Sequence, residues 1–265
     1  MGKKARQTAA SKAPQQEGGW KGKLISWAEK FEALVNAAAA SVPCARLKMW
    51  IDGFFHPEEE YDKSQAKATP PELFYNLLFF YFFYSLAFFL FMIALTSVLP
   101  PEDMQAVGFN PSPDIAQIAI GSLVVGPVIS TITALAAFLL VYLPARALGG
   151  SGGYMQQSYA MSRVLCGSNV LLMVLMLAAF LVFMPSFLAQ DSLLLGTVLS
   201  IIGALVNIPV FLLCLAILLY TIYAYYLVVR KAHGFSSWRA AGAMVVAAVF
   251  VVLADAAVGW LLRTV

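Results

Sequence analysis

Apolar positions dominate the chain from Phe74 onward and fall into five long runs: Phe74–Leu99, Ile115–Leu143, Val164–Leu188, Leu193–Val229 and Ala240–Leu262. A helix needs about 20 apolar residues to cross a bilayer. The runs are continuous, which excludes the alternating period of a membrane β-barrel. Only helices and closed barrels satisfy the backbone in lipid. The pattern therefore predicts an all-α polytopic bundle of five transmembrane helices spread over residues 74–265. The fourth run contains Asn207 and Pro209. Splitting it there would leave a first half of about 15 residues, short for a crossing, so one kinked helix is expected.

A different pattern precedes the spans. Residues 1–19 are rich in Lys, Gln, Ala and Gly without periodicity, the composition of a disordered tail. Over residues 20–73 an amphipathic pattern appears. Trp20, Leu24, Trp27, Phe31 and Leu34 recur at helical spacing opposite Lys21, Lys23, Glu29 and Lys30. A second short helix, ARLKMWIDGFF, carries Leu47, Trp50, Ile51 and Phe54 on one side. Tryptophans facing lysines across a helix suit the headgroup region of a membrane, which makes Trp20, Trp27, Phe31 and Trp50 candidate interface residues. A protein partner, or the ends of the spans themselves, could cover the same faces.

Composition agrees with this reading. The chain is 61% apolar and 12% charged, about half the charged fraction of a soluble domain, and its mean hydropathy is +0.79. Charge adds an orientation. Of 17 basic residues, 11 precede the first span. The connection PPEDMQAVGFNPSPD has none, the next has Arg146 and Arg163, PSFLAQDS has none, and RKAHGFSSWR has Arg230, Lys231 and Arg239. This alternation predicts a cytoplasmic N-terminus and an external C-terminus. No secretory signal opens the chain.

Candidate chemistry is sparse. Cys44, Cys166 and Cys214 show no paired spacing, and the only histidines are His56 and His233, so neither a metal set nor a disulfide framework is legible. HPEEEYD reads as a helix start with acids at its positive end, not as a metal cluster. The stretch GGSGGYMQQSY lacks the Lys–Ser/Thr of a phosphate loop. It is expected to be a hairpin between spans two and three, with Gly149 ending a helix in the left-handed region. No catalytic, cofactor-binding or metal-binding set emerges, and no nucleic-acid partner is expected. The candidate residues within the membrane are Asp255, an ionisable group in the last span, together with Asn207, Pro209, Pro127 and Asn169.

Spans two–three and four–five share an order of features: a mid-membrane proline (Pro127, Pro209), a basic glycine-containing turn, then an arginine near the next span (Arg163, Arg239). They read as a parallel repeat of two hairpins with an axis along the membrane normal. The repeat predicts that spans two and four meet at the prolines and that span one lies peripheral.

The stretches FFHPEEEYDK, GGSGGYMQQSYAMSRVLCGSNVLLMV and YYLVVRKAHGFSSWRAAGAMVV, set around five spans, resemble the Yip family, the Ypt/Rab-interacting membrane proteins, in its compact prokaryotic form. The resemblance covers about residues 50–262. It implies a non-enzymatic multi-pass protein of a prokaryotic cell membrane that organises or shapes the bilayer or scaffolds partners. The DLYGP-type signature of the eukaryotic members is missing, which argues against a Rab-type GTPase, and Asn169 stands where many relatives carry proline. The partners implied are the lipid bilayer, proteins at the N-terminal region, or a second copy of the chain. The alternative is a small transporter or channel built on the two hairpins.

Overall fold

The computed structural model describes residues 45–98, 121–188 and 193–264, with Ser26, Glu29, Lys30 and Ala33 as isolated positions before them. The chain divides into two units, 1–44 and 45–265, and the fold below is that of the second. Trp20, Trp27 and Phe31 lie outside the described residues, as does the side chain of Asp255.

Among the described residues of this unit there are seven α-helices: α1 Ala45–Phe55, α2 Pro57–Ser64, α3 Pro70–Val98, α4 Gly126–Ala147, α5 Tyr154–Leu188, α6 Leu193–His233 and α7 Ser237–Thr264. No strand occurs among the described residues. Among the described residues five helices are long and apolar enough to cross a membrane, over Pro70–Ala94, Gly121–Ala147, Tyr154–Val182, Leu195–His233 and Ser237–Ala254. Their outer faces carry bare apolar side chains such as Phe211, Leu205, Met176 and Val252. Water does not tolerate so large an apolar surface, so lipid is its solvent. The fourth run is a single helix through Asn207 and Pro209.

Helix ends follow local chemistry. Pro57 opens α2, where its missing N–H breaks no helical bond, and Glu58, Glu59 and Glu60 fill the first turn against the positive helix end. Both hairpin turns are closed by a left-handed glycine, Gly149 at φ 86° and Gly234 at φ 62°. Gly150 N–H donates to the Ala145 carbonyl and Gly149 N–H to that of Arg146. Phe235 N–H donates to Arg230 and Gly234 N–H to Lys231 in the same pattern. Both are helix terminations of the Schellman type, which only a residue tolerant of positive φ closes without strain.

Packing is centred on α5. Every residue from Gln157 to Ser168 except Leu165 is buried, so this segment is enclosed on all sides. α5 packs mainly on α6, and α4 on α7. A two-fold exchange of the α4–α5 and α6–α7 hairpins would relate these two contacts. The hairpins thus match in turn type and pairing, but the expectation for the prolines fails. Pro127 is buried, with its neighbour Gly126 facing Ser85 of α3, whereas Pro209 is exposed on the outer surface. The proline ring is apolar and sits as well against lipid as against protein. Near the basic turns, Ala145 of α4, Val229 of α6, and Phe235, Ala240 and Ala243 around the start of α7 share a core cluster.

The expectation of a peripheral span one holds only beyond Phe80. α3 packs on both α4 and α5, burying Leu73, Asn76, Leu77 and Phe80. These recur at steps of three, one and three, one stripe of a helix. Its other side, with Phe82, Phe83 and Leu90, stays exposed.

Candidate functional site: a polar cap at the basic ends of the spans

Helix lengths show that one end of the bundle extends past the hydrocarbon. α6 has 41 residues, roughly 60 Å, about twice a typical hydrocarbon core. α5, with 35 residues, exceeds it too. The surplus at the end bearing the basic turns is where α1 and α2 attach.

α1 buries Trp50, Ile51, Gly53 and Phe54 mainly against α5. Two glycines allow the approach. A Cβ on Gly53 would come within 2.6 Å of Arg163 Cβ, and one on Gly167 would fall on the Trp50 carbonyl oxygen. Trp50, a candidate interface residue, is thus buried within protein. Its Nε1–H donates to Asn76 Oδ1 at 2.8 Å, Asn76 Nδ2 donates to Ser162 Oγ at 2.9 Å, and the Ser162 hydroxyl donates to the Tyr159 carbonyl at 2.8 Å. The chain of bonds ties α1, α3 and α5 together. Tyr220 of α6 donates to the Phe55 carbonyl at 3.0 Å.

α2 is an acidic clamp. Glu60 Oε2 lies 2.5 Å from Arg163 NH1, and Arg163 is 4% exposed. The guanidinium also lies over the Tyr159 ring at 4.9 Å. Glu58 meets Arg230 at 2.5 Å and Asp62 meets Lys231 at 3.0 Å. One short helix therefore binds the basic residues of α5 and α6. A charge as buried as Arg163 is tolerable only when paired. Lys63 on the same helix also reaches Glu60, and this contact raises its pKa. Burial raises the pKa of Tyr61, reinforced by Asp62 and opposed by Lys231. Among the described residues, buried Ser158 Oγ and Arg163 Nε have no hydrogen-bond partner.

The glycine-rich loop closes the same end. Gly152 N–H donates to His233 Nδ1 at 3.2 Å, which fixes the ring proton on Nε2. That nitrogen donates to Gln157 Oε1 at 2.7 Å, so the imidazole is neutral. Arg146 donates to the Gly150 carbonyl at 2.7 Å. A Cβ on Gly150 would fall on His233 Nδ1, and one on Gly152 would fall on the Ala232 carbonyl. The glycines are small because α6 passes over them.

The sequence-derived candidates do not converge. Asn207 Nδ2 donates back to the Gly203 carbonyl at 2.9 Å, and Asn169 Nδ2 to that of Leu165 at 2.8 Å. Each satisfies its own helix. Pro127 and Pro209 lie apart, and Asp255 falls on α7. Sequence reasoning missed two buried polar pairs, Asn76 with Ser162 and Gln157 with His233. The signal was present in Gln157 and Ser158, polar residues preceding a membrane run with no acidic or basic neighbour to solvate them. Among the described residues no group of three or more His, Cys, Asp or Glu side chains could hold a metal.

No curated protein and no solved structure matches the chain. A family model does: the Yip1 domain, over residues 51–259, which takes in α2 to α6, the second half of α1 and most of α7. This match covers well over half of the sequence, and the chain belongs to the Yip1 domain family.

Proposed function

We propose that this chain is a non-enzymatic membrane-organising protein of a prokaryotic cell membrane, with the basic end of its bundle in the cytoplasm and the α1–α2 cap as its working part. The carrying observation is the depth of α1. Trp50 bonds Asn76 and packs edge-on to Phe80 at 5.3 Å, two turns or more into α3. Gly167 of α5 lies against its backbone, and Tyr220 of α6 meets its end. At this depth α3 changes from polar residues, Glu72 and Asn76, to an almost unbroken apolar run. α1 therefore widens the protein at the level of the headgroups. Added area in one leaflet alone bends a bilayer away from that side, the principle by which interfacial helices respond to curvature. The basic turns support the cytoplasmic assignment.

Reconstitution tests this. Vesicles holding the purified full chain are expected to be smaller or more tubular in electron micrographs than protein-free ones of the same lipid. Glu58→Gln with Asp62→Asn, which frees α2 from α6 while leaving Arg163 paired, is expected to reduce the effect, and Asp255→Asn to leave it unchanged. Vesicles of unaltered shape, or solute flux without any change of shape, overturn the proposal.

A further inference from the structure

A groove of about 420 Å³ opens on the outer surface between α3 and the start of the second span. Its walls include Phe79 and Phe82 from α3, with Val124 from a π-helical turn over Gly121–Val125 and Pro127 from α4. Arg46, on the first turn of α1, is the single charged residue in the lining, and Tyr75 stands beside it. The Arg46 guanidinium lies over the Phe79 ring at 4.9 Å. Among the described residues no carboxylate lies within ion-pair distance of it. The acids of α2 are committed elsewhere: Glu58, Glu60 and Asp62 engage Arg230, Arg163 and Lys231. Arg46 is thus a half-buried cation left over from the clamp.

The arrangement is graded. Arg46 and Tyr75 stand at the headgroup depth assigned to α1, and Phe82 lies two turns deeper along α3 from Tyr75. A ligand here meets a guanidinium first and an apolar wall below it. We propose that this groove binds one anionic phospholipid, its phosphate on Arg46 and an acyl chain along Phe79, Phe82 and Val124. Charge complementarity selects the occupant: guanidinium forks match phosphate oxygens, and an apolar chain is the only part of a lipid that the wall can cover favourably. The proposal rests on the headgroup depth of α1 argued above and not on membrane shaping.

The test uses the full chain purified in mild detergent with added phosphatidylglycerol or phosphatidylcholine, read by native mass spectrometry. One phosphatidylglycerol per chain is expected to survive conditions that strip phosphatidylcholine. Arg46→Gln is expected to weaken retention at least tenfold, and Arg46→Lys to keep most of it. Val124→Trp, which fills the wall, should abolish retention while leaving the melting temperature of the lipid-free protein unchanged. A photoreactive benzoylphenylalanine in place of Phe82 is expected to capture a phospholipid. Equal retention of the two lipids, retention undiminished in Arg46→Gln, or capture of a peptide from this chain or a second copy overturns the proposal. Wild-type protein that reshapes vesicles yet retains no lipid would sink this inference alone.

Discussion

Arg163 shows how much a single residue can be asked to do at the end of a membrane helix. It is 4% exposed, held by Glu60, laid over Tyr159, and has Cβ contact with the α1 backbone at Gly53. Removing one partner of a buried pair leaves a charge with no solvent, typically at about 3 kcal/mol or more. Glu60→Gln is therefore expected to lower stability by about 3 kcal/mol. Glu58→Gln, whose pair with Arg230 has both side chains more than a third exposed, should cost less than about 1 kcal/mol. Replacing both partners, Glu60→Leu with Arg163→Met, should recover part of the Glu60→Gln loss. Thermal unfolding of the purified protein in detergent checks the order. Equal effects of the two single substitutions would mean that Arg163 is solvated after all.

Between elements, the α1–α5 contact depends on the absence of side chains. Gly167 leaves its Cβ position occupied by the Trp50 carbonyl, with Phe54 Cβ 2.8 Å away. The obstacle is backbone, which cannot rotate aside. Gly167→Ala is expected to destabilise by about 1–3 kcal/mol, as overpacking does, and to unseat α1. Trypsin should then cut faster at Arg46 and Lys48. Gly242 on α7 has nothing within 4 Å of its Cβ position, so Gly242→Ala should leave cleavage unchanged and raise stability by up to about 1 kcal/mol through helix propensity. Unchanged cleavage in Gly167→Ala would show that α1 is held by its polar bonds alone. The two hairpins are compared at the same scale. Their Schellman turns and exchanged helix pairings agree, whereas Pro127 and Pro209 face different surroundings, so the likeness lies in the turns and pairing and not in the kinks.

For the molecule as a whole, orientation decides which leaflet α1 enters. With Cys44, Cys166 and Cys214 replaced by alanine, a membrane-impermeant maleimide added to intact cells should label Val265→Cys. It should reach Ser151→Cys, in the exposed part of the glycine loop, only after permeabilisation. The reverse result would invert the assignment and place Arg46 and its groove in the outer leaflet.

Hydropathy by itself determined the helical class and the five spans, because burial in lipid acts on each segment separately: about 20 apolar residues make a span whatever its neighbours are. The left-handed conformation at Gly149 was likewise legible, since a helix termination depends on a few adjacent residues. The acidic first turn of α2 could be read as well, but its partners could not. Glu60 reaches Arg163, Glu58 reaches Arg230 and Asn76 reaches Ser162, across 103, 172 and 86 residues. No local period carries such distances. Only tertiary structure decided that the apolar face of α1 lies on α5, that span one packs on two others, and that Pro209 faces outward. The physical reason is that lipid and protein interior are equally apolar, so a hydrophobic position tells that water is excluded without telling which of the two excludes it.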